Sequence, residues 1–240
     1  MNSCAYYEVF TVICSREYDY FTDRTGLSAL FQIFQDISAV HCELLGRSPE
    51  RLWKDNLIWV VVRHYAKLKR LPEPGEHVRV QTWIVSTKHG MFPRYYKLFS
   101  AEGEELANGG ALWAMVDMDT RRMVNPDSFG LSLNGDADDP EPQISFTVKK
   151  LPTDGKCGFT VPEKYVDENG HLNNTRYYDA AEDSIAHETA GLTPVEVRTS
   201  FIAELPRGAS MELHWGHNGG LWYIAGESDH PIFKMNIRYE

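Results

Sequence analysis

The sequence lacks the short motifs that define several common classes of enzyme. It contains no P-loop, no G-x-G-x-x-G turn and no G-x-S-x-G elbow, so nothing indicates a nucleotide site or a serine nucleophile. The cysteines are few and none forms a C-x-x-C pair: Cys4, Cys14, Cys42 and Cys157. Their spacing predicts neither a structural zinc site nor a disulfide framework.

Positive charge is scarce, and long apolar runs are missing. The formal net charge is -10, which argues against nucleic acid binding across the surface, because neutralising phosphates needs concentrated positive charge. No run approaches the ~20 apolar residues that span a bilayer, and the chain does not open on a basic segment followed by an apolar one. We therefore expect no membrane span and a cytoplasmic location. We also expect no cofactor, and no metal at His214 and His217.

Aromatic residues make up 12% of the chain, which favours a structure rich in strands. In the first half we predict a strand at 7–14, a helix at 27–45, and strands at 57–68, 77–85, 94–100 and 111–118. The helix is predicted by apolar residues at helical spacing, namely Leu27, Leu30, Phe31, Phe34, Ile37, His41, Leu44 and Leu45. Gly46 follows as a terminator.

The second half repeats this order of elements. We predict a strand at 157–161, a helix at 174–189, and strands at 195–203, 211–215, 221–226 and 232–239. The acidic, proline-containing segment 134–143 separates the halves. We therefore predict an N-terminal domain at 1–133, a linker at 134–150 and a C-terminal domain at 151–240.

A turn of the form D-x-x-G precedes both predicted helices, at 23–26 and at 167–170. Repeats of more than 100 residues suggest the duplication of a whole domain. A long helix followed by an antiparallel sheet that can wrap it is the hot dog arrangement, so the predicted fold is α+β, a tandem hot dog. The alternative is one α+β domain in which the turn recurs by coincidence.

Polar residues capable of chemistry cluster before the second helix, at Asp167, Asn169 and His171, with Asn173 and Asn174 where a helix N-cap belongs. Short polar side chains beside the N–H groups of a helix N-terminus favour developing negative charge. An imidazole can transfer a proton near neutral pH, and an amide can stabilise an oxyanion. A plain turn with an N-cap is the simpler interpretation. Because Leu27 follows the first turn, we predict a single active site, in the second half.

The stretch D-x-N-x-H-L-N-N at 167–174 resembles a signature of the acyl-ACP thioesterase family, which acts on acyl carrier protein (ACP). The resemblance also covers G-E-H-V-R-V-Q-T-W at 75–83, K-H-G at 88–90 and W-A-M-V-D-M-D-T-R at 113–121. It implies the tandem hot dog fold and catalytic roles for Asp167, Asn169 and His171. It further implies an acidic partner, best matched by Glu204, for which a solvated strand end is the alternative. Some plant members have a cysteine after that acid, where this chain has Leu205.

These expectations define a mechanism in which His171 and Glu204 polarise a water that attacks a thioester. Which of the two is the general base stays open. Asn169 and a backbone N–H near the second helix stabilise the oxyanion, while Asp167 orients Asn169 or His171, or holds the turn. For the acyl chain we predict contacts from Asn173, Asn174, Leu30, Phe31 and Phe34, although the three apolar residues would equally fill a core.

The expected partner is an acyl carrier protein with its fatty acyl chain, without nucleic acid, and the protein could be a homodimer. Because carrier proteins are acidic, docking needs local bases, for which we predict Lys67, Lys69, Arg70, Arg121 and Arg122. Three alternatives stay open. They are an acyl-CoA thioesterase on the same fold, a hot dog dehydratase, and a module that binds acyl chains without catalysis.

Overall fold

The computed structural model describes residues 6–12, 18–19, 24–134 and 144–240. Most of the predicted linker, and the end of the first predicted strand, therefore lie outside the described residues. The first half contains β1 (Tyr6–Val12), β2 (Tyr18–Asp19), β3 (Arg24–Thr25), α1 (Leu27–Leu44), α2 (Pro49–Trp53), β4 (Leu57–Leu68), β5 (His77–Ile84), β6 (Met91–Ser100) and β7 (Glu105–Asp117). The second half contains β8 (Gly155–Thr160), α3 (Arg176–Ser184), β9 (Pro194–Phe201), β10 (Ser210–Asn218), β11 (Leu221–Glu227) and β12 (Pro231–Tyr239).

All described strands except β2 and β3 form one antiparallel sheet, in the order β1-β5-β6-β7-β4-β9-β12-β11-β10-β8. Each half contributes five strands to this sheet, and the two halves share one spatial order. When these five strands are numbered along the chain, the order from the outer edge of the sheet to its centre is first, third, fourth, fifth, second. Two separate stretches of sequence thus fold with the same topology, and in each a helix follows the first strand of the sheet. The predicted tandem hot dog arrangement is confirmed. The domain boundaries at 133 and 151 stay a prediction.

The two halves join where β4 pairs with β9, in a register that runs from Arg63 opposite Ser200 to Lys67 opposite Glu196. These are the second strands of their halves, so the junction lies at the centre of the sheet. A bulge between Val61 and Arg63 interrupts the pairing of β4 with β7 close to this junction. The continuous ladder fixes the position of each half relative to the other.

Both helices contact the core of the sheet at one aromatic cluster. The Phe31 ring of α1 stacks on Tyr178 of α3, with centroids 4.1 Å apart, and on His64 of β4, with centroids 4.8 Å apart. The Tyr178 hydroxyl lies 2.9 Å from His64 Nδ1. All three side chains are buried, so they link the two helices to the central strand without contact with water.

Each helix also contributes a polar contact to the start of the other. The Glu182 carboxylate of α3 accepts the Leu27 N–H at the start of α1, at 3.0 Å. The Thr175 hydroxyl, just before α3, donates to the Gln32 amide oxygen of α1, at 3.1 Å. A carboxylate at a helix N-terminus satisfies a free N–H and complements the helix dipole. These contacts orient α1 and α3 antiparallel to each other.

Two strands are longer in the structure than predicted. Each contains a glycine or a proline, residues that usually mark a turn, so the sequence pattern placed the start of the strand too late. β7 begins at Glu105 rather than near 111, and it includes Gly109. A β-carbon at Gly109 would lie 2.7 Å from the Tyr65 carbonyl oxygen and 2.8 Å from Phe34 Cε2. Glycine is thus required here by the close packing of α1 on the sheet, rather than by a turn. β6 likewise begins at Met91 and continues through Pro93.

The second helix is shorter than the predicted 174–189, because α3 covers only Arg176–Ser184. After Glu182 the backbone bonds tighten to the three-residue spacing, with Ile185 N–H donating to Glu182 C=O at 3.2 Å. The two turns before the helices also differ. Gly26 is extended and directly precedes α1, whereas Gly170 has φ of +80° and lies six residues before α3. Leu27 is therefore not the structural counterpart of His171, and Asp23 lies outside the described residues.

His64 makes the stability of this fold depend on pH. Burial lowers the pKa of its imidazole to about 3, whereas an unfolded chain gives about 6.5. Between these values the unfolded state binds a proton that the folded state does not, so stability falls as the pH drops below about 6.5. We expect a loss of about 2 kcal/mol at pH 5 relative to pH 7.5 from this residue.

Denaturant unfolding of the wild type and of His64→Phe at both pH values measures this loss. The phenylalanine keeps the ring stack and removes the titration, so the difference between the two pH values should shrink by that amount. An unchanged difference would mean that other groups cause the acid sensitivity.

Candidate active site

The loop before α3 is held in place by the side chain of Asp167. One carboxylate oxygen, Oδ1, accepts the N–H of Asn169 at 2.9 Å and that of His171 at 3.2 Å. Backbone bonds close the same turn, since the Asp167 N–H donates to the His171 carbonyl at 2.9 Å. The φ of +80° at Gly170 allows this tight path. The contacts of Asp167 are therefore with the backbone of the loop, which makes the turn rigid.

Backbone bonds also fix His171 against the segment that follows β9. The Arg207 N–H donates to the Gly170 carbonyl at 2.9 Å, and the Leu172 N–H donates to the Leu205 carbonyl at 2.8 Å. These two bonds flank His171 and place it beside Glu204. The loop and the segment after β9 are more than 30 residues apart in sequence, so their pairing is a tertiary contact that local patterns do not reveal.

The His171 Nε2 atom lies 3.6 Å from the Glu204 carboxylate oxygen Oε2. This separation is too long for a direct hydrogen bond but allows one water to contact both groups. The imidazole is partly buried, with 25% of the side chain exposed, and the carboxylate is 40% exposed. The second ring nitrogen, Nδ1, is buried, and no described residue forms a hydrogen bond with it.

Arg121 forms an ion pair with Glu204 through the same oxygen, Oε2. It comes from the turn after β7, in the other half of the chain, and has a φ of +55°. The carboxylate is thus held between a guanidinium and an imidazole, and its second oxygen has no partner among the described residues. The sequence predicted Arg121 as a docking residue. In the structure its charge is already paired within the site.

A cavity of about 420 Å³ lies between α1, the first-half sheet and the loop. Its walls are mostly apolar, and the loop contributes Asp167, Glu168, Asn169, Asn173 and Asn174. The wall from α1 consists of Gln35, Ser38, Ala39 and Cys42, and the sheet and the neighbouring segments supply Trp59, Ile84, Phe92, Arg94, Trp113, Pro49 and Leu133. The loop of the predicted cluster therefore borders a partly open cavity of a size typical for a small ligand, with Asp167 and Asn169 in its wall.

The predicted acyl-chain residues fall into two groups. Asn173 and Asn174 line the cavity, whereas Leu30, Phe31 and Phe34 are fully buried in the core and do not line it. The cavity-facing residues of α1 lie one turn further along the helix. The apolar pattern does not indicate them, because Gln35, Ser38 and Cys42 lie beside the apolar stripe of the helix and not on it.

Asn173 and Asn174 lie before α3 rather than in it. The Asn173 amide oxygen accepts the Thr175 N–H at 2.9 Å and so forms a local turn. It also lies 2.8 Å from the Thr175 hydroxyl, whose single proton is shared between this oxygen and the Gln32 amide oxygen. The Asn173 amide nitrogen keeps both donors free among the described contacts. Leu205, where some plant relatives were expected to have cysteine, is fully buried. No thiol is available at that position.

The five predicted docking bases do not form one surface. Leu57 at the start of β4 pairs with Asp117, close to Arg121 and Arg122. Lys67 lies ten residues further along the same strand, about 30 Å away, together with Lys69 and Arg70. The Arg70 guanidinium is also bound to the Glu76 carboxylate by two bonds of 2.8 Å. Of the five, Arg122 is the exposed base beside the site for which the described residues provide no ion-pair partner.

Among the described residues, no cluster of three or more His, Cys, Asp and Glu side chains has the geometry to hold a metal ion. His214 instead lies 3.0 Å from the Glu212 carboxylate. No helix in the described part of the chain is long and apolar enough to cross a membrane.

The strand order and the helix placement define a tandem hot dog protein, and comparison with known proteins gives its family. The protein-family model for the acyl-ACP thioesterase N-terminal domain matches the sequence at residues 6–127, slightly more than half of the chain. The chain belongs to the acyl-ACP thioesterase family.

One curated relative is the chloroplastic acyl-[acyl-carrier-protein] hydrolase FATB3 of Cuphea viscosissima, 32% identical over 178 residues. That match covers 68% of this chain and 43% of the relative. The chain therefore spans less than half the length of this relative.

Solved structures show the same fold over the whole chain. An acyl-ACP thioesterase from Bacteroides thetaiotaomicron superposes with a TM-score of 0.84 and 18% identity, covering 100% of both chains. A 12:0-ACP thioesterase from Umbellularia californica gives a TM-score of 0.81 and 18% identity, covering 98% of this chain and 97% of that one. At this identity the likeness establishes the tandem hot dog architecture.

The role of Asp167 in the loop can be tested by amide hydrogen exchange. Asp167→Ala removes the acceptor for two N–H groups, so exchange at Asn169 and His171 should accelerate about 5-fold or more, as expected for the loss of about 1 kcal/mol per bond. Asp167→Asn keeps an acceptor oxygen and serves as the matched control, with exchange close to that of the wild type. Unchanged exchange in the alanine variant would show that the backbone bonds alone hold the turn.

Proposed function

We propose that the protein hydrolyses the thioester of a fatty acyl group carried on acyl carrier protein and releases the free acid and holo-ACP. The observation that supports this most is the pair of His171 and Glu204, whose nearest atoms are 3.6 Å apart. The loop that carries His171 also forms part of the wall of an apolar cavity. A proton-accepting pair beside an apolar space suits the attack of water on a thioester with a fatty chain. Family membership supports the same assignment.

In the proposed reaction a water lies between His171 Nε2 and Glu204. One of these groups takes a proton from the water as the water oxygen attacks the thioester carbonyl carbon. The same group then returns this proton to the leaving thiolate as the C–S bond breaks, which gives the free acid and the thiol. Arg121 holds the Glu204 carboxylate in place through Oε2. The free oxygen Oε1 can accept a hydrogen bond from the attacking water. Which of the two groups is the base stays open.

The oxyanion of the tetrahedral intermediate requires donors that are not already used. The Asn169 side chain lines the cavity and makes no hydrogen bond with described residues, so its amide can donate. The backbone N–H groups of Asn173 and Thr175 donate within the loop, whereas that of Asn174 has no acceptor among the described residues. We assign stabilisation of the oxyanion to these two free donors, the Asn169 side-chain amide and the Asn174 N–H.

Direct attack by water is favoured over a covalent intermediate on a thiol next to Glu204. Leu205 occupies the position after Glu204, and it is buried and apolar. Hydrolysis of acyl-CoA on the same site is the second candidate, and the rate on the same acyl group attached to either carrier separates the two. Releasing a fatty acid from its carrier ends elongation of that chain, so we place the activity in cytoplasmic fatty acid biosynthesis. A homodimer stays a prediction.

Substitution of the reactive pair tests the mechanism. His171→Ala and Glu204→Gln should each lower kcat for thiol release from acyl-ACP by about 100-fold or more, the usual range for a lost acid–base group. Because His171 and Glu204 lie at a partly exposed surface, the free energy of unfolding should change by less than about 1 kcal/mol.

The matched control is His187→Ala, which removes an exposed histidine remote from the cavity and should leave kcat unchanged. Full activity in either site variant would exclude that residue from the mechanism. Formation of an enoyl product without thiol release would support a dehydratase, and binding without turnover would support a non-catalytic module.

Arg121 and Arg122 should have separable effects on the kinetics. Arg121→Gln frees the Glu204 carboxylate and should mainly lower kcat. Arg122→Gln removes an exposed charge beside the site and should raise KM for acyl-ACP about 2- to 5-fold at low salt, with the effect disappearing at high salt. Lys69→Gln, at the far end of β4, is the control and should change neither constant. Identical effects of the two arginine variants would refute this division of roles.

A further inference from the structure

Arg94 is a buried cation in the wall of the cavity. It lies on β6 with 3% of its surface exposed, and it lines the same space as the loop residues Asn169 and Asn173. One terminal nitrogen, Nη1, donates to His41 Nδ1 at 2.7 Å and to Thr82 Oγ1 at 3.1 Å. The other, Nη2, donates to the Cys42 sulfur at 3.4 Å. The three partners lie on α1 and β5, and none of them is a carboxylate.

These contacts leave part of the guanidinium unused. The group has five N–H donors, and the three contacts above account for three of them. One N–H on Nη2 and the N–H on Nε have no acceptor among the described residues. They belong to neighbouring nitrogens of one planar group, which is the arrangement that a carboxylate with two oxygens can match.

Among the described residues, no carboxylate balances the charge of Arg94. No described carboxylate lies within 4.0 Å of its nitrogens, and a guanidinium stays protonated at any pH a protein tolerates. A buried charge without a counter-charge is costly, and it cannot be relieved here by loss of a proton. An anionic group in the cavity would offset that cost.

The acids that line the cavity, Asp167 and Glu168, belong to the loop. Asp167 is bound to two N–H groups and Glu168 is exposed. β7 and β4 lie between β6 and β9, so the Arg94 backbone is about 14 Å from β9. A chain with a carboxylate at one end would thus be repelled at the loop and attracted at Arg94, while its neutral thioester end lies at His171.

We propose that Arg94 binds a carboxylate at the distal end of the acyl chain, so that the cavity accepts half-thioesters of dicarboxylic acids. The inference rests on the proposed function for the orientation of the chain. The binding of a carboxylate at Arg94 does not depend on that function. Arg94 would then determine which acyl chains are held, in addition to linking α1 with β5 and β6.

A binding experiment on the full chain tests the carboxylate site without turnover. The probes are the N-methylamide of decanoic acid and the mono-N-methylamide of decanedioic acid, which differ only in the distal methyl or carboxylate. By calorimetry the carboxylate probe should bind the wild type about 10-fold more tightly or better, as expected for charge-assisted hydrogen bonds. The advantage should disappear in Arg94→Met and be reduced in Arg94→Lys, which keeps the charge but loses the paired donors.

Arg79→Met is the matched control, because Arg79 lies on β5, forms an ion pair with Glu8 and does not line the cavity. It should keep the full preference. Equal binding of both probes to the wild type would overturn the inference even if no Arg94 variant folds. So would a preference that survives in a folded Arg94→Met protein.

Kinetics on the matched carrier-bound thioesters then separate the two proposals. The kcat/KM ratio of the carboxylate-ended to the methyl-ended chain should fall about 10-fold in Arg94→Met, whereas a purely structural role would lower both values alike. Probe binding that depends on Arg94, without thiol release from any substrate, would retain this inference and overturn the hydrolase. Thiol release without any preference for the carboxylate-ended chain would retain the hydrolase and overturn this inference.

Discussion

The pairing of β4 with β9 is the constraint on which the site depends. It joins two repeated halves into one antiparallel sheet and fixes their relative positions. The segment that follows β9 therefore passes the turn that follows β7, which brings Glu204 to Arg121. The same pairing places the loop of the second half at the edge of a cavity formed mainly by the first. Neither half alone contains both the pair of His171 and Glu204 and the apolar space.

The sequence predicted the order of elements because each element satisfies a local rule. α1 has apolar residues at helical spacing and ends beside Gly46, and the structure differs from the prediction there by one residue. The rules failed where tertiary contacts decide. Gly109 resembles a turn residue in sequence, but the packing of Phe34 requires it within a strand. α3 ends early because its bonds tighten after Glu182, which the apolar spacing did not show.

The same distinction applies to the site. The loop could be read from sequence because Asp167 organises it through residues two and four positions ahead. The role of Glu204 came from a family resemblance, since no local pattern relates it to His171. The pairing of Arg121 and the burial of Arg94 were missed. Both depend on strands that are distant in sequence, and a single arginine in a strand pattern carries no sign of its partner.

The division of labour between the halves has a physical basis in their helices. α1 has 18 residues and α3 has nine, so the first of the two helices that follow the edge strands is twice as long as the second. The face of α1 that borders the cavity carries three small residues, Ser38, Ala39 and Cys42, besides Gln35, which leaves space above the sheet. α3 instead packs through Tyr177 and Tyr178, both fully buried. Large aromatic rings fill the corresponding volume in the second half, and a rigid, well-packed helix start holds the reactive loop in position. With two halves, one helix can pack loosely on its sheet and leave a cavity, while the other packs tightly and fixes the loop before it. A single helix cannot do both.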